Sequence, residues 1–132
     1  MQDVKKVKQL VVVVEDRPGM LSEVTEALGR DKINLDAICA FSMDGKAVFN
    51  IICSDNQKAK AGLVQKGWQV KEEEVVALNL ENKPGALNEV AARLKAKNVN
   101  LIYCYGSACD CSCGCGLFFK AQDNDKAVEA LK

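Results

Sequence analysis

The chain contains the same short pattern twice, and this internal repeat constrains its fold more than any other feature. The pattern runs from Glu15 to Val24 and again from Glu81 to Val90, at a constant offset of 66 positions. In the 22 aligned positions around it, nine residues are identical in the two copies. Units of this length are too long for solenoid repeats. We therefore predict two small homologous domains, over residues 1–73 and 74–132.

Composition excludes several classes of function. The 132 residues include 18 basic and 18 acidic side chains, and this balance gives no reason to propose binding of nucleic acid, whose phosphates require a basic face. No apolar run approaches the roughly 20 residues of a membrane span, and the first residues lack the apolar stretch of a signal peptide. We expect a cytoplasmic protein that binds neither nucleic acid nor membrane.

Catalytic motifs are missing from the sequence. Histidine, the usual general base and the commonest metal ligand, does not occur. The sequence also shows no Gly-rich phosphate loop, nucleophile elbow or paired-carboxylate motif. These features predict a protein that is not an enzyme.

The first copy has the pattern of a βαββαβ unit. An apolar strand before Asp16 is followed by a turn, an amphipathic helix and two further strands. Asp44-Gly45 indicates a hairpin between these two strands, because a tight turn needs residues that tolerate positive φ. Asp55 is placed to cap a second helix, and a strand from Trp68 completes the unit. This order predicts an α+β class of two ferredoxin-like units, with antiparallel sheets and helices on one face.

The second copy follows the same order but ends early. Its last helix, capped by Asp123, reaches the end of the chain, so a final strand is missing. The second sheet is then completed by other means, such as a strand from another chain, unless the chain is cut short. No turn residue separates Trp68 from Leu80, which suggests that strands are shared between the halves. Units of about 60 residues are marginal alone, so we expect them to pack together or on a second chain.

The repeated motif resembles the ACT domain family. The residues that show this resemblance are Pro18-Gly19-Met20-Leu21 with Ile33-Asn34-Leu35, and Pro84-Gly85-Ala86-Leu87 with Val99-Asn100-Leu101. The resemblance covers essentially the whole chain and implies a tandem ACT-domain protein. That family implies a regulatory module which binds an amino acid and acts on an enzyme of amino-acid metabolism or on its own assembly, here as a homodimer.

The motif suits a zwitterion on physical grounds as well. A turn that enters a helix presents free backbone N–H groups and the positive end of the helix dipole to a carboxylate. Gly19 and Gly85 allow close approach, and the amides of Asn34 and Asn100 both donate and accept. The resemblance assigns ligand contact to Asp16, Arg17, Gly19, Met20, Leu21, Asn34, Asn82, Gly85, Ala86, Leu87 and Asn100.

Two alternatives stay open for these loops. Pro-Gly between a strand and a helix is often only a turn, and Asn34 is suited to local hydrogen bonding. The copies also differ at Asp16 and Asn82, so two sites need not be equivalent. Arg17 and Lys83 are expected to be solvated rather than to anchor a ligand.

A cysteine cluster departs from the family pattern. Five of the seven cysteines lie between Cys104 and Cys115, in a hairpin that is two residues longer than its counterpart. Cys109, Cys111, Cys113 and Cys115 are candidate metal ligands, and thiolate-only ligation suits Zn²⁺, Cu(I) or an iron–sulfur centre. A metal or thiol-redox sensor is therefore the alternative function, and an incidental loop is the third interpretation. Cys39 and Cys53 are predicted as small core residues.

Overall fold

Strands and helices alternate along the chain. The computed structural model describes residues 2–108 and 115–132. The elements in chain order are β1 (Gln2–Glu15), α1 (Met20–Arg30), β2 (Leu35–Met43), β3 (Lys46–Cys53), α2 (Asn56–Gln65), β4 (Gln69–Leu80), α3 (Ala86–Ala96), β5 (Leu101–Ala108), β6 (Cys115–Ala121) and α4 (Asn124–Leu131). Within the described part of the chain, no helix has the length and apolar character needed to cross a membrane.

Two compact units divide these elements. The first unit is Lys8–Glu73, and the second unit combines Met1–Val7 with Glu74–Lys132. Strands β1 and β4 each contribute residues to both units. The missing strand of the second repeat thus has a source within the chain, because the first residues of β1 belong to the second unit.

The first unit is a four-stranded sheet with two helices. Its strands lie in the order β2-β3-β1-β4. Alternate residues of β1, beginning with Leu10, form one core with residues of β3 and of both helices. Val24 and Leu28 of α1 and Leu63 of α2 are completely or almost completely buried in it, as the helical spacing of apolar residues predicts.

The second unit repeats this architecture. Its strands lie in the order β1-β4-β6-β5, with β1 in the place of the fourth strand. Its core combines β4, β6, α3 and α4, and Val4 of β1 packs against it. Each unit therefore has the ferredoxin-like strand order, and the predicted α+β class is confirmed.

Strand register reproduces both offsets found in the sequence. In the first unit Leu10 pairs with Ile51, and in the second unit Val76 pairs with Phe119. The β1 and β4 residues are 66 positions apart, whereas the β3 and β6 residues are 68 apart. The two added residues therefore lie in the connection between β5 and β6, where the sequence places the insertion.

Local chemistry explains the turns and caps. The β2–β3 hairpin is a two-residue turn in which Asp44 and Gly45 have φ of 53° and 77°, as a tight type I′ turn requires. Asp55 accepts a hydrogen bond from the Lys58 N–H at 3.1 Å, and Asp123 accepts one from the Lys126 N–H at 3.1 Å. The predicted hairpin and both predicted caps are confirmed.

One asparagine in each unit ties a helix start to a strand. Asn56 donates to the carbonyl of Lys8 at 3.0 Å in the first unit. Asn124 donates to the carbonyl of Glu74 at 2.9 Å in the second unit, and it also accepts from the N–H of Ala121 at 2.9 Å. Lys8 and Glu74 are the residues at which β1 and β4 pass from one unit to the other.

We expect Asn124→Ala to lower the free energy of unfolding by about 1–3 kcal/mol, because it leaves two partly buried backbone groups without their partner. Urea denaturation measures the change. Gln122→Ala is the control, since Gln122 is exposed and only its backbone N–H bonds, to the carbonyl of Asn100. Equal stability of the two variants contradicts the anchoring role of Asn124.

Candidate functional site

Both strand-to-helix bends leave a helix start without a side-chain cap. Gly19 precedes α1 with φ of 94°, and Gly85 precedes α3 with φ of 87°. L-residues with a side chain rarely adopt these left-handed angles, which explains glycine at both positions. Being glycines, these N-cap residues give neither helix a side-chain cap. The positive end of each helix dipole therefore faces its bend, and in α3 the Ala86 N–H donates to the carbonyl of Lys83 at 3.3 Å.

An ion pair lies at the bend of the first unit. Arg17 binds the carboxylate of Glu23 in α1 through two nitrogens, at 2.7 and 3.2 Å. This hydrogen bond, and the charge of Glu23, raise the pKa of Arg17 above its ordinary value. Because the guanidinium is already occupied by a protein carboxylate, Arg17 is held in place by the protein itself.

The same bend in the second unit borders an open pocket. The pocket has a volume of about 340 Å³ and lies between the start of α3, β6 and the outer strand β5. Its lining residues are Leu80, Glu81, Asn82, Lys83, Ala86, Leu87, Cys104, Tyr105, Gly106, Ser107, Gly116 and Leu117. Lys83 pairs with Glu81 at 3.2 Å, and both side chains are largely exposed. Glu89, the counterpart of Glu23, lies 3.7 Å from Arg93 instead.

Small side chains in the second unit provide space for this pocket. The strand pairing shows which positions of the two units are equivalent. Gly106 pairs with Leu117 in the second unit, as Ala40 pairs with Phe49 in the first unit. At several such positions the second unit has the smaller residue. Among them are Ala86, Cys104, Gly106 and Leu117, in place of Met20, Ile38, Ala40 and Phe49. Met20 and Phe49 are only 4% and 3% exposed, so their side chains fill the corresponding region of the first unit.

Gly106 has a steric reason to be glycine. A Cβ atom added there lies 2.7 Å from the carbonyl oxygen of Gly116 and 3.3 Å from a methyl group of Leu117. The first distance is shorter than an ordinary van der Waals contact, and a backbone oxygen cannot move aside by changing rotamer. Close approach of β5 and β6 therefore depends on this residue.

The bend of the first unit also borders a hollow, which reaches the start of β4 and not the outer strand β2. It has a volume of about 390 Å³, and Arg17, Met20, Lys46 and Trp68 are among its lining residues. Two of the residues predicted to contact a ligand, Arg17 and Met20, thus border a hollow. The others at that bend, Asp16, Gly19 and Leu21, are exposed.

Neither predicted asparagine joins the bend of its own unit. Asn34 follows the carboxyl end of α1, an 11-residue helix about 16 Å long. Its amide donates to Asp36 at 3.0 Å, and its backbone N–H donates to Ser54 at 3.1 Å. Asn100 borders a separate open hollow of about 660 Å³ and accepts from the Gln122 N–H at 3.0 Å. The ligand-binding roles of both residues stay predictions.

Sequence reasoning named only part of the pocket wall. Asn82, Ala86 and Leu87 were predicted as ligand contacts, and all three line the pocket. Gly106 and Leu117 were not predicted, although they help to form its floor. The sequence signal for them is that both positions hold a smaller residue than the aligned position of the first copy. A search for residues that are identical in the two copies does not detect this difference.

The cysteine hypothesis depends mainly on residues outside the described part of the chain. Cys109, Cys111 and Cys113 lie between residues 108 and 115, and Cys115 is described only as the start of β6. Within residues 2–108 and 115–132 no cluster of three or more potential metal ligands occurs. The thiolate metal site therefore stays a prediction, which elemental analysis of protein purified without oxygen tests directly.

Cys53 behaves as a core residue. It packs against the core of the first unit and donates its thiol hydrogen to Asn56 at 3.2 Å. Burial raises the pKa of this thiol, and the nearby carboxylates of Asp36 and Asp55 act in the same direction. Cys39 is also half-buried, whereas Cys104 is exposed at the edge of the pocket.

Two ferredoxin-like units with uncapped helices after Pro-Gly bends place the chain among paired small α+β modules. The family described as ACT domain pair matches residues 5–131, and the chain belongs to this family. The predicted resemblance is therefore confirmed. None of the curated proteins matches the chain.

Solved structures agree with this assignment. Protein BT0572 from Bacteroides thetaiotaomicron is 32% identical, with a TM-score of 0.89 over 97% of this chain and 88% of that protein. The regulatory subunit of aspartate kinase from Thermus thermophilus has 14% identity and a TM-score of 0.66, over 97% and 93% of the two chains. Aspartokinase III from Escherichia coli, solved with lysine and aspartate, has 21% identity and a TM-score of 0.50, over 96% of this chain and 30% of that one. The last two likenesses concern the fold.

We expect Gly106→Ala to destabilise the protein by about 1–3 kcal/mol, because the added methyl group forces β5 away from β6. Chemical denaturation measures the change. The matched control is Gly29→Ala in α1, where an added Cβ meets no atom within 4 Å. There alanine is expected to stabilise the helix by up to about 1 kcal/mol. Equal effects of the two substitutions contradict the close-approach argument.

Proposed function

We propose that this protein is a non-catalytic regulator which binds a small amino acid. Binding then modulates a partner enzyme of amino-acid metabolism or the association of the chain with itself. The observation that carries the proposal is the pocket of the second unit, which combines an uncapped helix start with an apolar wall. Its volume of about 340 Å³ is at the lower end of ligand pockets, about 300–1,000 Å³, and suits a ligand of amino-acid size.

The helix start supplies the anchor for the ligand's carboxylate. The first-turn N–H groups of α3 have no side-chain cap, and the helix dipole favours a negative charge there. Strand β5 is the outer strand in the described part of the second unit, and we place the ligand's ammonium group beside it, where a backbone carbonyl can accept from it. Recognition of the two charged ends thus relies on backbone groups.

The comparisons support a regulatory role. The chain belongs to the ACT domain pair family, and its fold resembles that of a protein named as a regulatory subunit of aspartate kinase. A second protein of similar fold was solved in complex with two amino acids. A partner enzyme of amino-acid metabolism is the corresponding proposal for this chain.

Self-association is the second route by which a ligand acts in this proposal. The outer strand β2 of the first unit exposes three large apolar side chains, Ile38, Phe41 and Met43. Exposed apolar residues on an edge strand favour pairing with another chain. A ligand shifts such an equilibrium only by binding the two association states with different affinity. Sedimentation velocity with and without ligand therefore tests both homodimer formation and its regulation.

Titration with each of the twenty amino acids is expected to identify at least one ligand with a Kd between micromolar and millimolar, about −8 to −4 kcal/mol. At a hundred times its Kd such a ligand stabilises the protein by about 2.7 kcal/mol, which thermal shift detects. No shift by any of the twenty at millimolar concentration contradicts the proposal.

A carboxylate at the pocket tests where the ligand binds. We expect Leu87→Glu to weaken binding at least about tenfold, because Leu87 lines the pocket at the first turn of α3, where the new charge repels the ligand's carboxylate. Ala92→Glu makes the same change at an exposed position further along α3 and is expected to leave affinity unchanged. Equal loss in both variants indicates general electrostatics instead of this site.

A further inference from the structure

We infer that the ligand is an amino acid with an apolar aliphatic side chain, of valine to leucine size, and that one molecule binds per chain in the second unit. This inference rests on the proposed function and adds the ligand class and the stoichiometry to it. It follows from the chemistry of the pocket wall and from the difference between the two copies.

The wall beyond the helix start is mainly apolar, although Tyr105 and Ser107 also line the pocket. Leu80 and Leu117 are buried at 9% and 7% exposure and border the pocket. Ala86 and Leu87 line it on the side of α3, and Leu87 is 54% exposed, so its surface is available to a ligand. A ligand whose carboxylate lies at the α3 amino end thus has its side chain against aliphatic groups.

The charged side chains among the described lining residues are Glu81 and Lys83, which lie in the bend and pair with each other at 3.2 Å, not on the aliphatic wall. Burying an unpaired charge or an unpaired hydroxyl against aliphatic side chains is costly. The pocket therefore disfavours aspartate and lysine, and it selects leucine over threonine.

The hollow at the bend of the first unit, about 390 Å³, has a different lining. Met20 replaces Ala86, and Phe49 replaces Leu117, and both larger side chains are almost fully buried in the core. Arg17, which is paired with Glu23, and Lys46 border that hollow, and no residue of β2 lines it. We therefore assign the aliphatic site to the second unit alone.

Isothermal titration calorimetry with L-leucine, L-valine, glycine, L-threonine, L-lysine and L-aspartate tests the inference. L-leucine or L-valine is expected to bind at least about tenfold more tightly than glycine and the polar amino acids, with a stoichiometry near one per chain. Tightest binding of lysine, aspartate or threonine, or a stoichiometry of two, overturns the inference while leaving the proposed function intact. Absence of binding by any amino acid removes both.

Ala86→Met supplies the decisive variant, because it introduces the residue that fills the first unit. Leucine affinity is expected to fall at least about tenfold. Ala92→Met is the matched control, since it makes the same change at an exposed position of the same helix. Unchanged leucine affinity in Ala86→Met overturns the inference. Circular dichroism and thermal unfolding of both variants show whether a loss of binding reflects the pocket or a loss of folding.

Discussion

Each of the two small units needs four strands, and the chain satisfies this requirement by using β1 and β4 in both units. The second repeat has only three strands after Glu74, so its sheet lacks a strand unless Gln2–Val7 supplies it. A unit of about 60 residues has little stability to spare, and an unpaired core strand removes much of it. Asn56 and Asn124 hold the helix starts to β1 and β4 where these strands change unit. The shared strands therefore make the two repeats interdependent, and a cut between residues 73 and 74 separates the second unit from part of its sheet.

Duplication preserved the scaffold while the space beneath the helices diverged. Both copies retain the Pro-Gly bend and its left-handed glycine, because the chain must turn there between strand and helix. Both copies also retain a helix start without a side-chain cap. The residues next to the bend are under no such local constraint. Met20 and Phe49 complete the core of the first unit, whereas Ala86 and Leu117 leave room in the second. The two units therefore share a fold but differ in the side chains beside their bends.

This divergence connects the fold to the proposed regulation. In the proposed function, backbone groups at the start of α3 bind the charged ends common to all amino acids, and the side chains of the wall distinguish one amino acid from another. Asn34 and Asn100 lie at the far ends of α1 and α3, where their hydrogen bonds connect neighbouring elements. Their ligand-binding roles stay predictions.

Much of the fold was predictable because its signals are local. The Asp44-Gly45 turn, the caps at Asp55 and Asp123 and the apolar stripe of α1 each depend on residues close together in the chain. The full length of β1 has no such local signal, since Gln2–Val7 has no strong strand pattern and becomes a strand through its place beside β4.

The sequence by itself therefore determined the repeated α+β architecture, its family and the position of both bends, because periodicity, turn chemistry and duplication are all properties of neighbouring residues. Only the tertiary structure decided which residues line the space beside each bend. In the second unit this space depends on side-chain volumes at Ala86, Gly106 and Leu117, which three separate elements bring together, and no local pattern in the chain reports it.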